Sequence, residues 1–194
     1  VTVFSEVLQG KIPENVVLSH DLLEGSYLRC GLASDILLMD GYPKNYLSYQ
    51  KRAMRWLRGD FQISRWLCRK VKNEEGEWIV NPLNLLSKYK ILDNLLRGIT
   101  PIFFVGLLVW ISLFSIWQGQ MLGGYWIFFC LWFVLPSLLD LLDFCMYQKD
   151  GQKNRKKFTQ TYGIVRASIY RAILGIGALP DQAWNHLKAI TKTI

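Results

Sequence analysis

The stretch GITPIFFVGLLVWISLFSIW, residues 98–117, runs for twenty residues without a charge. At about 1.5 Å per helical residue it reaches roughly 30 Å, the thickness of a bilayer's hydrocarbon core. Thr100-Pro101 reads as the start of the helix, with threonine as cap and proline in the first turn. A second apolar run, MLGGYWIFFCLWFVLPSLL, occupies residues 121–139, and Pro136 is expected to kink it or bend its end. Only Gln118, Gly119 and Gln120 separate the two. The pair reads as a transmembrane helical hairpin. A buried hairpin in a soluble core is the weaker alternative, because two such runs in tandem are rare outside membranes.

The flanks suggest an orientation. The tip carries no Lys or Arg, whereas Lys88, Lys90 and Arg97 precede the hairpin and Lys149, Lys153, Arg155, Lys156 and Lys157 follow it. The positive-inside rule puts both ends in the cytoplasm. The net charge is +8, and of 23 Lys and Arg, 12 fall between Lys44 and Arg97, so an anionic partner is expected. The cysteines, Cys30, Cys68, Cys130 and Cys145, form no CxxC pair and read as free thiols rather than a disulfide framework or zinc site. The chain opens on VTVFSEVLQGKIPEN, with no initiating methionine or signal-peptide pattern, and reads as a segment of a longer polypeptide.

Three regions are expected: a cytosolic part over 1–90, the hairpin over 91–147, and a basic loop with amphipathic helices over 148–194. In the first, Asp21–Arg29 reads as a short helix, Ser34–Met39 (SDILLM) as a strand, and Tyr46 to about Lys70 as a long helix. KNEEGEWIVN, residues 72–81, reads as a charged loop around Gly76. In the last, Ile164–Ile176 and Asp181–Ile194 read as amphipathic. Trp184, Leu187, Ile190 and Ile194 share a face there, with His186, Lys188 and Lys192 largely off it. That pattern suits an interfacial helix on an anionic leaflet or, equally, a helix packed on protein.

The residues able to do chemistry cluster in SYQKRAMRWLRGDFQISRWL, residues 48–67. Arg52, Arg55 and Trp56 fall at i, i+3 and i+4 and share one helix face. Gly59, one turn on, leaves a flat spot where a ligand or backbone could approach. A guanidinium donates two parallel hydrogen bonds to phosphate oxygens, and an indole offers a platform to the apolar face of a sugar. The combination suits a nucleotide-sugar diphosphate beside an acceptor sugar. It suits equally a basic juxtamembrane helix snorkelling into headgroups. In LSHDLLEG, residues 18–25, Asp21 is a candidate general base. Its spacing to Glu24 is also that of a capping box, and taken alone the cap is the stronger reading. The two are compatible, since a helix dipole favours negative charge at that end.

Together, HD followed by LRCG, a short strand, a proline and RAMRW resemble the C-terminal half of processive, membrane-bound family-2-type glycosyltransferases. More narrowly, GKIPENVVLSHDLLEGSYLRCGLASDI, RAMRWLRGDFQISRWL and NPLNLLSKYKILDNLLRG, in this order, look like the glycosyltransferase part of the cyclic β-1,2-glucan synthase family. The resemblance covers most of residues 5–117. It implies an α/β fold class: the C-terminal part of a GT-A-like domain, mostly helical in this segment, fused to the transmembrane hairpin. It implies an inverting transfer from UDP-glucose to a growing β-glucan at the cytoplasmic face of a bacterial inner membrane. By that likeness Asp21 is the base, Trp56 stacks on the acceptor sugar at the mouth of a channel, and Arg52 and Arg55 face the diphosphate and the base. His20, Arg29, Arg58 and Asp60 are supporting residues. His20 stands where many relatives carry glutamate, and Arg52 where cellulose and hyaluronan synthases carry glutamine, which fits the cyclic glucan group better. Relatives bind Mg²⁺ or Mn²⁺ through an upstream D-x-D motif, and no D-x-D occurs in these 194 residues. The metal ligands are therefore expected outside the chain, which alone should be inactive. The implied partners are UDP-glucose, the glucan acceptor, the bilayer and the rest of the parent polypeptide, with no nucleic acid. Other polysaccharide synthases of the cellulose, hyaluronan or chitin type, and a non-enzymatic basic membrane anchor, are the competing readings.

Overall fold

The structure is a computed structural model describing residues 2–17, 20–31, 33–119, 123–147 and 155–193. Of the expected hairpin tip, Gln120 lies outside the described residues, as do residues 121 and 122, residues 148–154 of the expected basic loop, Ile194 and the side chain of Cys145, whereas Arg155, Lys156 and Lys157 of that loop belong to a helix. Among the described residues, six α-helices and one two-stranded sheet follow in the order α1 (Thr2–Leu8), α2 (Asp21–Leu28), α3 (Tyr46–Gln62), β1 (Lys70–Lys72), β2 (Trp78–Val80), α4 (Leu85–Gln118), α5 (Gly123–Tyr147) and α6 (Arg155–Thr191). The described chain is thus mostly helical, with little sheet. Two compact units emerge: residues 1–102 with 182–194, and residues 103–181.

The first unit is built on a core of Leu23, Ile63, Trp66, Val71, Leu83, Ile91 and Leu95. On α4, Ser87, Ile91 and Leu95 recur every four residues and form one buried stripe. Helix α3 starts where expected. Pro43 precedes it, and the side chain of its cap, Asn45, accepts from the Ser48 N–H at 2.8 Å. It does not reach Lys70. It ends at Gln62 and tightens into a 3-10 turn over Ile63–Leu67. Three residues per turn bring Ile63 and Trp66 onto the same side, and both are buried. The Trp66 Nε1–H donates to the Tyr27 hydroxyl at 3.0 Å, fastening this turn to α2.

Two expectations for this region are corrected. The strand expected at Ser34–Met39 is absent. The segment is irregular, and Ile36, Leu37, Leu38 and Met39 are exposed, Met39 at 95%. Its β-type residues pair with no strand among the described residues, and a strand exists only as part of a ladder. Conversely, the charged loop around Gly76 proves to be the turn of the β1–β2 hairpin, with Val71 opposite Ile79. Gly76 takes a left-handed φ of 80°, and Asn73 closes the turn by accepting from the Glu77 N–H at 2.7 Å. Asn81 then seals the hairpin from below. Its amide donates to the carbonyls of Trp66 and Cys68, and its oxygen accepts from the Leu83 N–H at 2.9 Å.

Helix α4 also departs from expectation. It begins fifteen residues before Thr100, capped by Asn84, whose side chain accepts from the Ser87 N–H at 2.8 Å. Pro101 lies inside the helix rather than at its start. Thr100 is no cap, because its hydroxyl donates back to the Leu96 carbonyl at 2.7 Å. Among the described residues α4 is the one helix long and apolar enough to cross a membrane, and only 11% of that apolar stretch is buried.

In the second unit, Phe104 of α4 packs on Phe129, Trp132 and Phe133 of α5, and Leu179 of α6 joins the cluster. The two amphipathic segments expected near the C-terminus form a single helix, α6, which runs through Pro180. One polar clamp joins α5 to α6. The Ser168 hydroxyl donates to Asp140 and accepts from the Arg171 guanidinium, which also reaches Asp140 at 3.3 Å. Most large side chains of this unit, among them Trp110, Leu113, Trp117 and Trp126, are exposed. Cys30, Cys68 and Cys130 carry free, exposed thiols.

Candidate functional site

Within the first unit a groove of about 780 Å³ opens between the start of α2, one face of α3, the middle of α4 and the end of α6. His20 and Asp21 enter it from α2, and Arg55, Trp56 and Asp60 from α3. Asn94 and Arg97 come from α4, and His186 from α6. The fold therefore gathers residues distant in sequence: His20 and Asp21 meet residues of the RAMRWLRGD stretch around one cavity.

Asp21 is the first residue of α2, so the capping position falls one residue earlier, on His20, whose side chain makes no cap bond. A side-chain bond one residue beyond the capping-box position is present instead. Glu24 accepts from the His20 N–H at 3.1 Å. The expectation that Asp21 itself pairs with Glu24 as a cap is thereby corrected. The Asp21 carboxylate stands exposed on the groove at the positive end of the helix.

Across from it, Asp60 lies 3.3 Å from His20 Nε2 and accepts from the Asn94 side-chain amide at 2.8 Å. The flat spot at Gly59 borders the groove and also receives a side chain. It is filled by the His20 ring, and a methyl group at position 59 would come 2.9 Å from His20 Cδ2. Gly98 serves α4 in the same way, since a side chain there would collide with Leu57 of α3. His186 Nδ1 lies 2.8 Å from the Gly98 carbonyl. A carbonyl only accepts, so Nδ1 carries the proton.

Trp56 is 55% exposed. Arg52 does not line the groove. Its guanidinium stacks 4.5 Å above the Trp56 ring and 5.9 Å from the Tyr42 ring. Arg55 lines the groove beside Trp56, and Arg97, held by Asp93 at 2.6 Å, brings a second guanidinium to it. Arg29 and Arg58 are exposed and outside the groove. Arg29 closes α2 in the left-handed conformation, with φ 54°. Asn94, Arg97 and His186 were not expected here. Arg97 reads in sequence as a membrane-flanking cation. His186 was placed off the apolar face of the last helix, whereas Ala183 and Ala189 form the buried face on its side and Trp184 and Leu187 are exposed. The sequence signal that could have found Asn94 is its position one turn before Gly98, on the α4 face turned to α3.

The groove thus sets a free carboxylate, a supported imidazole, an indole and two guanidiniums around a space large enough for a sugar. That set can hold a polyhydroxylated acceptor, take its proton, and oppose negative charge. Among the described residues no three of His, Cys, Asp and Glu come together as metal ligands.

The chain is similar to a glucan synthase. Over 102 residues it is 40% identical to the cyclic beta-(1,2)-glucan synthase NdvB of Rhizobium meliloti (strain 1021). The match takes in 53% of this chain and 3% of that protein's length. No protein-family model and no solved structure matches the chain.

Proposed function

We propose that this chain is the acceptor-side segment of a membrane-bound inverting glycosyltransferase, one that transfers glucose from UDP-glucose to a growing β-glucan, in the first instance a cyclic β-1,2-glucan. The observation that carries the reading is the meeting of Asp21, Arg55 and Trp56 in one groove of a chain similar to a glucan synthase. The helical first unit is then the acceptor-side portion of a GT-A-like domain, and the apolar helices hold it at the inner face of a bacterial cytoplasmic membrane.

In this mechanism the acceptor sugar lies against Trp56, whose ring offers an apolar face and an edge N–H. Asp21 accepts the proton of the attacking hydroxyl as its oxygen bonds to the anomeric carbon. The bond from that carbon to the UDP oxygen breaks, configuration inverts, and UDP leaves with the electron pair. Arg55 and Arg97 oppose the charge that gathers on the departing diphosphate. Arg52 supports from behind, since it braces the indole rather than facing the groove. A Mg²⁺ or Mn²⁺ ion would neutralise diphosphate charge in the full enzyme. Its ligands are assigned to parts of the polypeptide outside this chain, which alone is then inactive.

The test is Trp56→Ala in the intact synthase, assayed in inverted membrane vesicles with UDP-glucose. Glucan synthesis should fall by about a hundredfold or more, the scale of a lost positioning contact, while the protein remains inserted in the membrane. Undiminished synthesis would remove the acceptor platform. A membrane-anchoring module without transferase activity would show no turnover in the wild type either.

A further inference from the structure

On α3, Tyr49, Ala53, Trp56 and Asp60 fall at i, i+4, i+7 and i+11, and all four line the groove. That spacing puts them on one face of the helix. Both rings are accessible, Tyr49 at 39% and Trp56 at 55%. They stand two turns apart, roughly 10 Å along the helix axis. Ala53 lies between them, and its single methyl keeps the floor there low. Each ring is braced from outside the groove. The Tyr42 ring stacks on that of Tyr49, with centroids 6.3 Å apart and planes inclined by 29°. The Arg52 guanidinium links this pair to the indole, at 5.9 Å from the Tyr42 ring and 4.5 Å from the Trp56 ring. A tyrosine used only for packing would sit among apolar side chains, whereas Tyr49 joins neither apolar cluster of the described residues. The groove, at about 780 Å³, falls in the range of pockets that enclose a drug-sized ligand, which is more than one sugar ring requires.

We infer that Tyr49 is a second stacking platform of the acceptor site, holding a glucose unit of the glucan behind the terminal one that rests on Trp56. The inference rests on the glycosyltransferase reading above and extends it from a single acceptor sugar to an acceptor chain. A pyranose has an apolar face of C–H groups and a rim of hydroxyls. An aromatic ring with a polar edge meets both, and Tyr49 and Trp56 each supply one. One sugar cannot reach two rings set two turns apart, whereas a chain crossing the low floor at Ala53 can. The bracing by Tyr42 and Arg52 holds both rings in place before the chain arrives, so less side-chain freedom is lost on binding. The occupant is thus the growing glucan itself, continuous with the sugar on Trp56.

Binding is measured without turnover. The intact synthase, wild type or variant, is reconstituted in lipid nanodiscs and titrated calorimetrically with linear β-1,2-linked glucose oligosaccharides of increasing length. Wild type should bind more tightly once the chain is long enough to reach the second ring. Tyr49→Ala should lose that gain, a weakening of about three- to tenfold for the long chains, the scale of one aromatic stacking contact. Short chains should bind it as they bind wild type. Tyr49→Phe retains the ring and should retain the gain. Ala53→Leu keeps both rings but raises the floor between them, and should remove the gain as Tyr49→Ala does. The KM for UDP-glucose, measured in inverted vesicles, should be unchanged in all three variants, which shows that each is folded. A gain with length that survives Tyr49→Ala, or that is absent from wild type, would overturn the inference. So would a raised KM for UDP-glucose in Tyr49→Ala with glucan binding unaltered, since the ring would then belong to the donor. Each of these results leaves the transferase reading intact as long as wild type turns over UDP-glucose. Absence of that turnover would overturn both.

Discussion

Single side chains decide most about this groove, and Gly59 shows how. A mid-helix glycine replaced by alanine ordinarily gains about 1 kcal/mol of helix stability. In this chain the new methyl would sit 2.9 Å from the His20 ring, so the ring must move away from Asp60. Gly59→Ala should therefore show little or none of that gain in thermal unfolding, together with a several-fold drop in glucan synthesis. A full gain with unchanged synthesis would mean that His20 has room to spare. Tyr27 offers a separate check. Burial raises its phenol pKa from 10.0, against a smaller opposite pull from the Trp66 N–H. Below pH 10 the phenol is protonated whether folded or unfolded. Above it the unfolded chain ionises first, so stability is lost as pH rises through the folded value. Unfolding measured from pH 9 to 12 should show this loss, and Tyr27→Phe should diminish it. The sequence showed Arg55, Trp56 and Asp21 as chemistry-bearing residues, because guanidinium, indole and carboxylate each have a narrow set of uses. It did not show that Gly59 exists to seat His20, since what a glycine admits depends on an element 39 residues away.

Elements were legible wherever local signals agreed. Helix α3 follows from Pro43, the Asn45 cap and an uninterrupted helical run, and α2 from its length and the Glu24 bond to the His20 N–H. The misreadings share a cause: tertiary context outweighed local composition. SDILLM has strand propensity but no ladder among the described residues, whereas KNEEGEWIVN looks like a loop yet encloses a hairpin. Its three-residue strands are too short to show a period, and only Val71 is buried on β1. Thr100-Pro101 resembles a helix start, but the helix already under way from Asn84 absorbs the proline. Asn81 is the element-scale hinge pin. It holds two carbonyls and one N–H between the 3-10 turn, β2 and the entry to α4. Asn81→Ala leaves these buried groups unpaired and should destabilise the first unit by about 3 kcal/mol, read as a lower denaturant midpoint. A change below about 0.5 kcal/mol, the range of ordinary surface substitutions, would show that water replaces the amide without cost.

At the scale of the molecule, the two units divide the work. The first carries the groove and an ordinary buried core, and the second consists of apolar helices whose large side chains face outward. That outward apolar surface is what a bilayer would cover. Sequence length and lack of charge announced α4 as a candidate span, since twenty uncharged residues leave few soluble alternatives. The gathering of α2, α3, α4 and the end of α6 around one cavity could not be read the same way, because it depends on how the chain folds back. The central claim is that Asp21 is the base of a glucosyl transfer. The direct measurement compares UDP release and glucan product from UDP-glucose and Mg²⁺ in inverted vesicles carrying the intact synthase or its Asp21→Asn variant. The account requires turnover in the wild type and a loss of roughly 10²- to 10⁴-fold in the variant, the usual contribution of a general base, with both proteins equally inserted. Equal activity in the two would contradict it and leave Asp21 as no more than a charge at the end of a helix.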